Sequence, residues 1–308
     1  MYTAENWPIA AKMSFCTVTE TGQDIREAGP KVWQKHLRQV KNKGFDCIDP
    51  IDEWVPFTEL NDQEYKDFKQ VLADEGLYIS SLSMGRRSVI DEVHGEEYLA
   101  MGHRYIEKAV DLGSKIVNVG FMQALTEPQK KALWFWYEQG HVDDPKNRDL
   151  ALERITELAD HAKEVGVEIS LEMYEDTFIG TPEGAVSFIK DLNHDAVGIN
   201  PDVGNLIRLH RPMPKGEEMY SQVLPYANFW HIKNYIRDED VKTGAYFSTP
   251  STLEDGTINY RLVIREALRL GFQGPFLAEQ YGGDWLGVSW KNAQYIREIL
   301  RDAEETNL

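Results

Sequence analysis

The sequence predicts an α/β protein folded as a single (β/α)8 TIM barrel, and three observations lead to this fold class. Short apolar runs alternate with longer amphipathic stretches along the whole chain. A glycine repeatedly stands just before an apolar run, which is the usual end of a helix that leads into a strand. The chain has 308 residues, a length that suits one decorated barrel. We therefore expect one domain over residues 1–308.

Eight apolar runs predict the eight strands of the barrel. They lie near 13–18, 45–49, 77–82, 115–119, 167–172, 196–200, 228–233 and 275–280. The stretches between them are amphipathic, and several of these predicted helices end at Gly44, Gly76, Gly113 and Gly166. This alternation indicates parallel strands joined by crossover helices. A doubly wound open sheet is the alternative, but no glycine-rich phosphate loop follows the first predicted strand.

Two connections are too long for plain crossovers. One follows the fourth predicted strand, from Gly120 to about Lys163, and the other follows the seventh, from Asn234 to about Tyr260. Connections that follow strands lie at the carboxyl end of a barrel, where enzymes of this fold keep their chemistry. We expect both insertions to act as lids or as subunit contacts.

Charge and cysteine content restrict the partners and the compartment. The formal net charge is −18, which argues against a nucleic-acid partner because such proteins present a basic face. The two cysteines, Cys16 and Cys47, are too few for a disulfide framework, and we expect free thiols in a reducing, cytoplasmic setting. The sequence has no evident signal peptide and no apolar run long enough to cross a membrane, so we expect no membrane partner.

The last four predicted strands each end on a side chain that can bind a metal. These side chains are Glu172, Asp202, His231 and Glu279. Alternation along a strand turns them toward the barrel axis, so we expect them to converge at its mouth. A mixed oxygen and nitrogen set of this kind suits Mn²⁺, Mg²⁺, Co²⁺ or Zn²⁺.

Each of these residues also has an ordinary structural interpretation when it is considered alone. A glutamate at a strand end is commonly solvated or ion-paired, and Asp202 in the segment NPDVGN could be a turn residue or a helix cap. His231, beside Trp230, could be a hydrogen-bonded core histidine. The succession of four such residues at four consecutive strand ends favours the metal site over these alternatives.

Four segments, LEMYED, NPDVGNL, HIKN and LAEQYGGD, occur in the order that is typical of one group of barrels. In these segments the chain resembles the xylose isomerase-like TIM-barrel superfamily, which contains sugar isomerases and ketose 3-epimerases. The resemblance implies one divalent metal, preferably Mn²⁺, bound by Glu172, Asp202, His231 and Glu279. Two positions depart from the common pattern: Asn205 stands where the epimerases usually have a histidine, and Asn234 stands where an aspartate is usual.

The segment that begins EQYGGD is similar to the tail of the catalytic subunits of C-glycoside deglycosidases. This second, shorter resemblance implies a different reaction, β-elimination on a 3-keto-glycoside. It also implies a hetero-oligomer with a small subunit.

The catalytic roles that follow from the superfamily resemblance fall on three residues. Glu172 and Glu279 would approach the substrate from two sides, one of them removing a proton and the other returning one to the opposite face. Lys233 would bind a hydroxyl or stabilise the oxyanion, and its alternative role is an ion pair with a barrel carboxylate.

Four further residues are candidates for substrate binding. Arg208 is a possible substrate clamp, although an ion pair is its ordinary alternative. Trp134 and Trp136 would stack on a sugar ring if their segment overhangs the mouth, and otherwise pack within the protein. His141 lies on the first insertion and could reach the pocket.

The predicted function is a metal-dependent enzyme that abstracts a proton next to the carbonyl of a sugar or keto-sugar, as an isomerase or epimerase does. Elimination on a 3-keto-glycoside is the alternative within the same chemistry. A sugar-binding subunit without turnover is a second alternative. The expected partners are a small carbohydrate substrate and either further copies of the chain or a small second subunit.

Overall fold

The computed structural model describes residues 2–13, 16–281 and 284–306. The strands are β1 (Ile9–Lys12), β2 (Cys47–Asp49), β3 (Tyr78–Ile79), β4 (Leu82–Ser83), β5 (Ile116–Val119), β6 (Glu168–Glu172), β7 (Val197–Asn200), β8 (Trp230–Ile232), β9 (Asn234–Asp240), β10 (Ala245–Ser251) and β11 (Phe276–Ala278). The α-helices are α1 (Ile25–Ala28), α2 (Pro30–Lys43), α3 (Asp62–Asp74), α4 (Gly95–Leu112), α5 (Glu127–Lys131), α6 (Arg148–Val165), α7 (Pro182–Leu192), α8 (Gly204–Ile207), α9 (Gly216–Val223), α10 (Tyr260–Arg269) and α11 (Trp285–Glu305).

Parallel strands form the wall of a barrel in two sheets. The first sheet has the order β3-β2-β1-β11-β8 and the second has the order β4-β5-β6-β7. Strands β3 and β4 are successive parts of residues 78–83, so this segment joins the two sheets at one side. The eight barrel positions are therefore β1, β2, β3 with β4, β5, β6, β7, β8 and β11, as a (β/α)8 barrel requires.

The second junction between the sheets, at β7 and β8, depends on side chains. One backbone hydrogen bond runs there from the amide of Asn228 to the carbonyl of Ile199, at 3.3 Å. The side-chain oxygen of Asn200 accepts the amide hydrogen of His231 at 2.8 Å. The amide nitrogen of the Asn200 side chain donates to Asn118 on β5 at 3.1 Å. A polar side chain thus replaces part of the ladder beside the barrel axis.

The outer helices cover the sheet with apolar faces at helical spacing. In α6 the buried residues include Ile155, Leu158 and Ala162. The predicted glycine ends are confirmed for α4 and α6, where Gly113 and Gly166 adopt φ of 74° and 75° in the left-handed region. Glycine adopts this conformation without a Cβ penalty, and the chain then turns into β5 and β6.

The predicted first strand was wrong. It was expected near 13–18, but the strand lies at Ile9–Lys12, where it pairs in parallel with both β2 and β11. Small, fully buried Ala10 and Ala11 let the neighbouring strands pack closely, and they give a weaker apolar signal than the run that follows. Val18 is exposed, and Ser14 and Phe15 of the predicted run lie outside the described residues.

The two long insertions have structure of their own and contact each other. The connection after β8 folds into the antiparallel hairpin β9–β10, and the connection after β5 contains α5 and two 3-10 turns. The indole nitrogen of Trp136 in the first insertion donates to the hydroxyl of Ser248 in the hairpin at 3.0 Å. The insertions therefore form a joint cover beside the carboxyl ends of the strands. Within the described ranges, no helix combines the length and apolar character needed to span a bilayer.

Candidate metal centre

Four buried side chains stand at the carboxyl ends of neighbouring barrel strands. Glu172 is the last residue of β6, Asp202 follows β7 by two residues, His231 lies within β8 and Glu279 comes directly after β11. All four are at most 6% exposed. The parallel arrangement of the strands brings all four ends to one mouth of the barrel.

The ligand atoms of these residues converge on the imidazole of His231. Its Nδ1 atom lies 3.4 Å from Oε2 of Glu172, 3.8 Å from Oδ2 of Asp202 and 3.6 Å from Oε2 of Glu279. The ligand atoms of Glu172, Asp202 and His231 all lie within 4.8 Å of one another. This spacing matches a group of atoms that could share one ion.

Unpartnered polar atoms in this cluster support the fit to a cation. Nδ1 of His231 and both carboxylate oxygens of Asp202 are buried and have no hydrogen bond of good geometry to any described residue. Oδ2 of Asp202 has an ion pair with Lys233 at 2.7 Å, and Oδ1 has no partner within the described residues. Buried polar atoms nearly always have a hydrogen-bond partner, so an unpartnered carboxylate oxygen beside other ligand atoms fits a cation site.

A network behind His231 fixes which ring nitrogen faces the cluster. Its Nε2 atom lies 3.2 Å from the hydroxyl of Ser83, and this hydroxyl donates to Oδ2 of Asp49 at 2.7 Å. Ser81 donates to the same oxygen at 2.8 Å. Burial raises the pKa of Asp49, although the two serine hydroxyls oppose this shift. The network leaves Nδ1 free for a ligand bond, as outer partners of metal-bound histidines do.

Neutral amides hold Glu172 in place. The side-chain nitrogen of Asn118 donates to Oε2 at 2.8 Å, and that of Asn205 donates to Oε1 at 3.3 Å. Burial disfavours the charged carboxylate, but the charge and hydrogen bond of His231 together with the charges of Lys12 and Lys233 outweigh burial and lower the pKa of Glu172 to about 2. Glu172 is therefore ionised, oriented and suited to bind a cation.

Two lysines form ion pairs with Glu279. The ammonium of Lys12 lies 2.9 Å from Oε1 of Glu279, and that of Lys233 lies 2.7 Å from Oε2. Burial opposes the charge of Glu279, yet the two ammonium groups hold its pKa well below the usual range. Lys233 therefore makes the ion pair that was its alternative interpretation, and it also reaches the cavity.

A cavity of about 260 Å³ opens over the cluster. This volume is slightly below the usual range of ligand pockets, so a small molecule fits better than an oligosaccharide. Charged and polar groups line it beside aromatic rings. The lining residues are Lys12, Ile51, Glu53, Ser83, Met84, Gly85, Arg86, Met122, Phe135, Glu172, Tyr174, Asn205, His231, Lys233, Glu279 and Tyr281.

Comparison with known proteins identifies the family. A family model described as xylose isomerase-like TIM barrel matches residues 37–302. The chain belongs to the xylose isomerase-like TIM barrel family. The resemblance and the barrel that the sequence predicted are thereby confirmed.

Solved structures place the chain within this family. A xylose isomerase-like TIM barrel protein from Mycobacterium smegmatis, solved in complex with magnesium, is 58% identical, with a TM-score of 0.95 over 98% of this chain and 99% of its own. L-Ribulose 3-epimerase is 14% identical, with a TM-score of 0.69 over 98% and 97% of the two chains. The 3-keto-D-glucoside 4-epimerase from E. coli is 14% identical, with a TM-score of 0.61 over 95% and 100%. The last two share the fold alone, and a search of curated proteins finds no match to the sequence.

Arg208 is not part of the cavity wall of this family member. Its guanidinium is fully buried, donates to both oxygens of Glu175 at 3.0 Å and lies 3.4 Å from the hydroxyl of Tyr235. The alternative interpretation as an internal ion pair therefore describes its position. The partner, Glu175, lies 33 residues away in the sequence, which hides the pair from sequence patterns.

The aromatic segment contributes a different residue from those predicted. Trp136 is buried against the hairpin, and Trp134 stacks on it with ring centroids 4.6 Å apart. Neither lines the cavity, whereas Phe135 between them does. His141 is exposed on the first insertion and does not line the cavity either. The predicted contacts of these three side chains with a substrate are not supported by where they lie.

Several cavity residues were missed at the sequence level. Lys12 ends β1, and it was overlooked because the first strand was predicted too late in the chain. Asn205 was noted only as a departure from the epimerase pattern, yet it holds Glu172. The two glycines of the segment EQYGGD, Gly282 and Gly283, lie outside the described residues.

Proposed function

We propose that this chain is a divalent-metal-dependent enzyme that abstracts a proton next to the carbonyl of a sugar or keto-sugar, in the manner of an isomerase or epimerase. The observation that carries the proposal is the convergence of the buried ligand atoms of Glu172, Asp202 and His231 within 4.8 Å of one another, with Oδ1 of Asp202 lacking a partner among the described residues. Membership of a family whose fold is shared by sugar epimerases supports it.

The proposed cofactor is one divalent cation held by Glu172, Asp202 and His231, with Glu279 as the fourth ligand. Three carboxylates and one imidazole suit Mg²⁺ or Mn²⁺ better than a soft ion. The sequence favoured Mn²⁺, and the 58% identical relative was solved in complex with magnesium, so we propose either of these two ions. Such an ion would act as a Lewis acid that polarises the substrate carbonyl.

Proton transfer is assigned to the two glutamates. Glu172 and Glu279 end strands that are separated by β7 and β8, so they face the cavity from different sides. One of them removes the proton and the other returns a proton to the opposite face of the carbon. Lys233 pairs with Glu279 and lines the cavity, and it is assigned to bind a substrate hydroxyl or the oxyanion.

Elimination on a 3-keto-glycoside shares the initial proton abstraction. It differs in that the aglycone then leaves the sugar. Its sequence signal, the segment EQYGGD, includes two residues outside the described ranges. A subunit without turnover does not require ordered acid and base groups, so the presence of this cluster supports an enzyme instead.

Hydrogen exchange in heavy water tests the proposal. The protein would be stripped of metal, reloaded with Mg²⁺ or Mn²⁺ and incubated with a panel of ketoses and 3-keto-glycosides. We expect the substrate C–H hydrogen to be replaced by deuterium only when metal is bound, and NMR measures this replacement. Release of an aglycone would move the assignment from epimerisation to elimination. Absence of exchange across the panel with metal bound would contradict both enzyme assignments.

We further propose that the protein is a cytoplasmic oligomer. Cys16 and Cys47 are both free thiols, as a reducing compartment favours. Ile236 and Phe247 are exposed on the outer face of the hairpin, which suits a contact with another copy or with a small subunit. Light scattering of the purified protein measures the mass and tests this expectation.

A further inference from the structure

One cation in the wall of the metal cavity, Arg86, has no carboxylate partner among the described residues. Lys12, Arg86 and Lys233 all line the cavity. The two lysines form ion pairs with Asp202 and Glu279. Arg86 forms no ion pair with any carboxylate in the part of the chain that the structure describes, although it is largely shielded from water. A partly desolvated charge without a counter-charge is costly unless a ligand supplies one.

Aromatic rings and two hydrogen bonds hold Arg86 in a fixed place. Its guanidinium carbon lies 5.0 Å from the ring centre of Phe135 and 5.2 Å from that of Tyr174. It donates through Nη1 to the carbonyl of Gln123 at 3.0 Å and through Nη2 to the hydroxyl of Tyr174. These contacts are with neutral groups, so they fix the side chain and leave its charge uncompensated. Arginine has five N–H donors, and those not used here can bind a planar anion.

The neighbouring Arg208 shows how a carboxylate balances the charge of an arginine in the same aromatic setting. Arg208 stacks against the same two rings, with its guanidinium carbon 4.8 Å from Phe135 and 5.4 Å from Tyr174. It is ion-paired with Glu175 through both carboxylate oxygens. Arg86 has the same aromatic setting, lines the cavity and forms no ion pair with a carboxylate among the described residues. The missing partner therefore belongs to the cavity.

The charge balance of the loaded site also favours an anion. Three cations and three carboxylates line the cavity, and Asp202 adds a fourth carboxylate beside them. A divalent cation bound at the cluster would leave one positive charge in excess. A monoanionic substrate matches this excess, and a carboxylate matches the planar donor array of arginine.

We propose that Arg86 binds a carboxylate of the substrate, so that the site selects a sugar acid over a neutral sugar. This inference rests on the proposed function of the same site and names its substrate class. A phosphate is a weaker match, because it carries up to two charges and its sites usually add further cations or a helix N-terminus. The carboxylate would lie at the Arg86 side of the cavity while the carbonyl lies over the metal cluster.

Binding of three ketohexoses that differ at carbon 6 alone tests the proposal. D-Fructose, D-fructuronate and D-fructose 6-phosphate would be titrated calorimetrically into the Mg²⁺-loaded protein. We expect D-fructuronate to bind at least about tenfold more tightly than D-fructose, which corresponds to about 1.4 kcal/mol. The substitution Arg86→Gln should bring this ratio to near one. Arg86→Lys should retain part of the preference, because it keeps the charge and loses the fork.

Arg148→Gln is the matched control. Arg148 also stacks on a phenylalanine, with its guanidinium carbon 5.2 Å from the ring centre of Phe188, but it lies outside the cavity. This variant should keep the wild-type ratio. Equal affinity for the acid and the neutral sugar, absence of binding by all three, tighter binding of the phosphate, or a preference that survives in Arg86→Gln would each overturn the proposal. The exchange experiment reports on proton abstraction separately, so either result can fail while the other stands.

Discussion

Ser83 connects the candidate metal cluster to a buried carboxylate, and its removal should weaken metal binding without removing any ligand. In Ser83→Ala, Nε2 of His231 loses its partner at 3.2 Å and Oδ2 of Asp49 loses one of its two hydroxyl donors. The imidazole of His231 can then rotate about its side-chain bonds, and its Nδ1 atom is no longer held toward the other ligand atoms. Loss of such an outer partner typically lowers metal affinity by about 10–100-fold, or about 1.4–2.7 kcal/mol.

Ser81→Ala is a close control for this substitution. Ser81 is buried two residues earlier and donates to the same oxygen of Asp49 at 2.8 Å, and no hydrogen bond links it to His231. Both variants should lose about 1–3 kcal/mol of unfolding free energy, since each leaves a buried carboxylate with one fewer donor. Only Ser83→Ala should lose metal affinity, as measured by calorimetric titration with Mn²⁺ and Mg²⁺ and by the metal-induced rise in melting temperature. Equal losses of affinity in the two variants, or none in Ser83→Ala, would refute the orienting role.

Three further outcomes are expected. Glu172→Gln and Glu279→Gln should each lower the deuterium exchange rate by about 100-fold or more while the circular dichroism spectrum is kept, and a near-wild-type rate in either would remove that residue from proton transfer. His231→Ala should reduce the metal content of the purified protein by elemental analysis, and unchanged content would remove His231 from the ligand set. Burial raises the pKa of Asp143 to about 7, although a hydrogen bond from the amide of Phe178 opposes this shift. The unfolded state therefore releases the Asp143 proton at lower pH than the native state does, and the native state loses stability as pH rises from about 4 to 7. Asp143→Asn should therefore be increasingly more stable than the wild type over this window, by at most about 4 kcal/mol at neutral pH in urea unfolding, and a constant difference from pH 4 to 8 would contradict the shift.

The interior of the barrel could be predicted because each strand end carries both an apolar signal and a chemical one. In β6 and β11 every residue except Glu168 is buried in the parallel sheet, and their large apolar side chains mark both strands in the sequence. β1 has the same environment, but its residues IAAK are too small to give that signal. The error carried over to Lys12, which was never considered as a cavity residue.

Other features of the site depend on contacts that no local pattern encodes. The first strand of the hairpin β9–β10 ends in four consecutive charged residues, 237–240, which hid it within an apparent loop. Arg86 and Arg208 look equivalent in the sequence, and only the position of Glu175 assigns one to the interior and the other to the cavity. Which aromatic residue of the first insertion meets the cavity likewise depends on how the two insertions pack together.

The side-chain junction between β7 and β8 has a consequence for how the barrel responds to its ion. Asp202 belongs to the β7 side of this seam, and His231 lies on β8, joined to it through the side chain of Asn200. An ion bound by both Asp202 and His231 would link β7 to β8 at the junction that has the fewest backbone hydrogen bonds between neighbouring strands. Hydrogen exchange of the backbone amides of His231 and its neighbours would then slow when the metal binds. The same measurement would report both the stability of the barrel wall and the metal occupancy of the site.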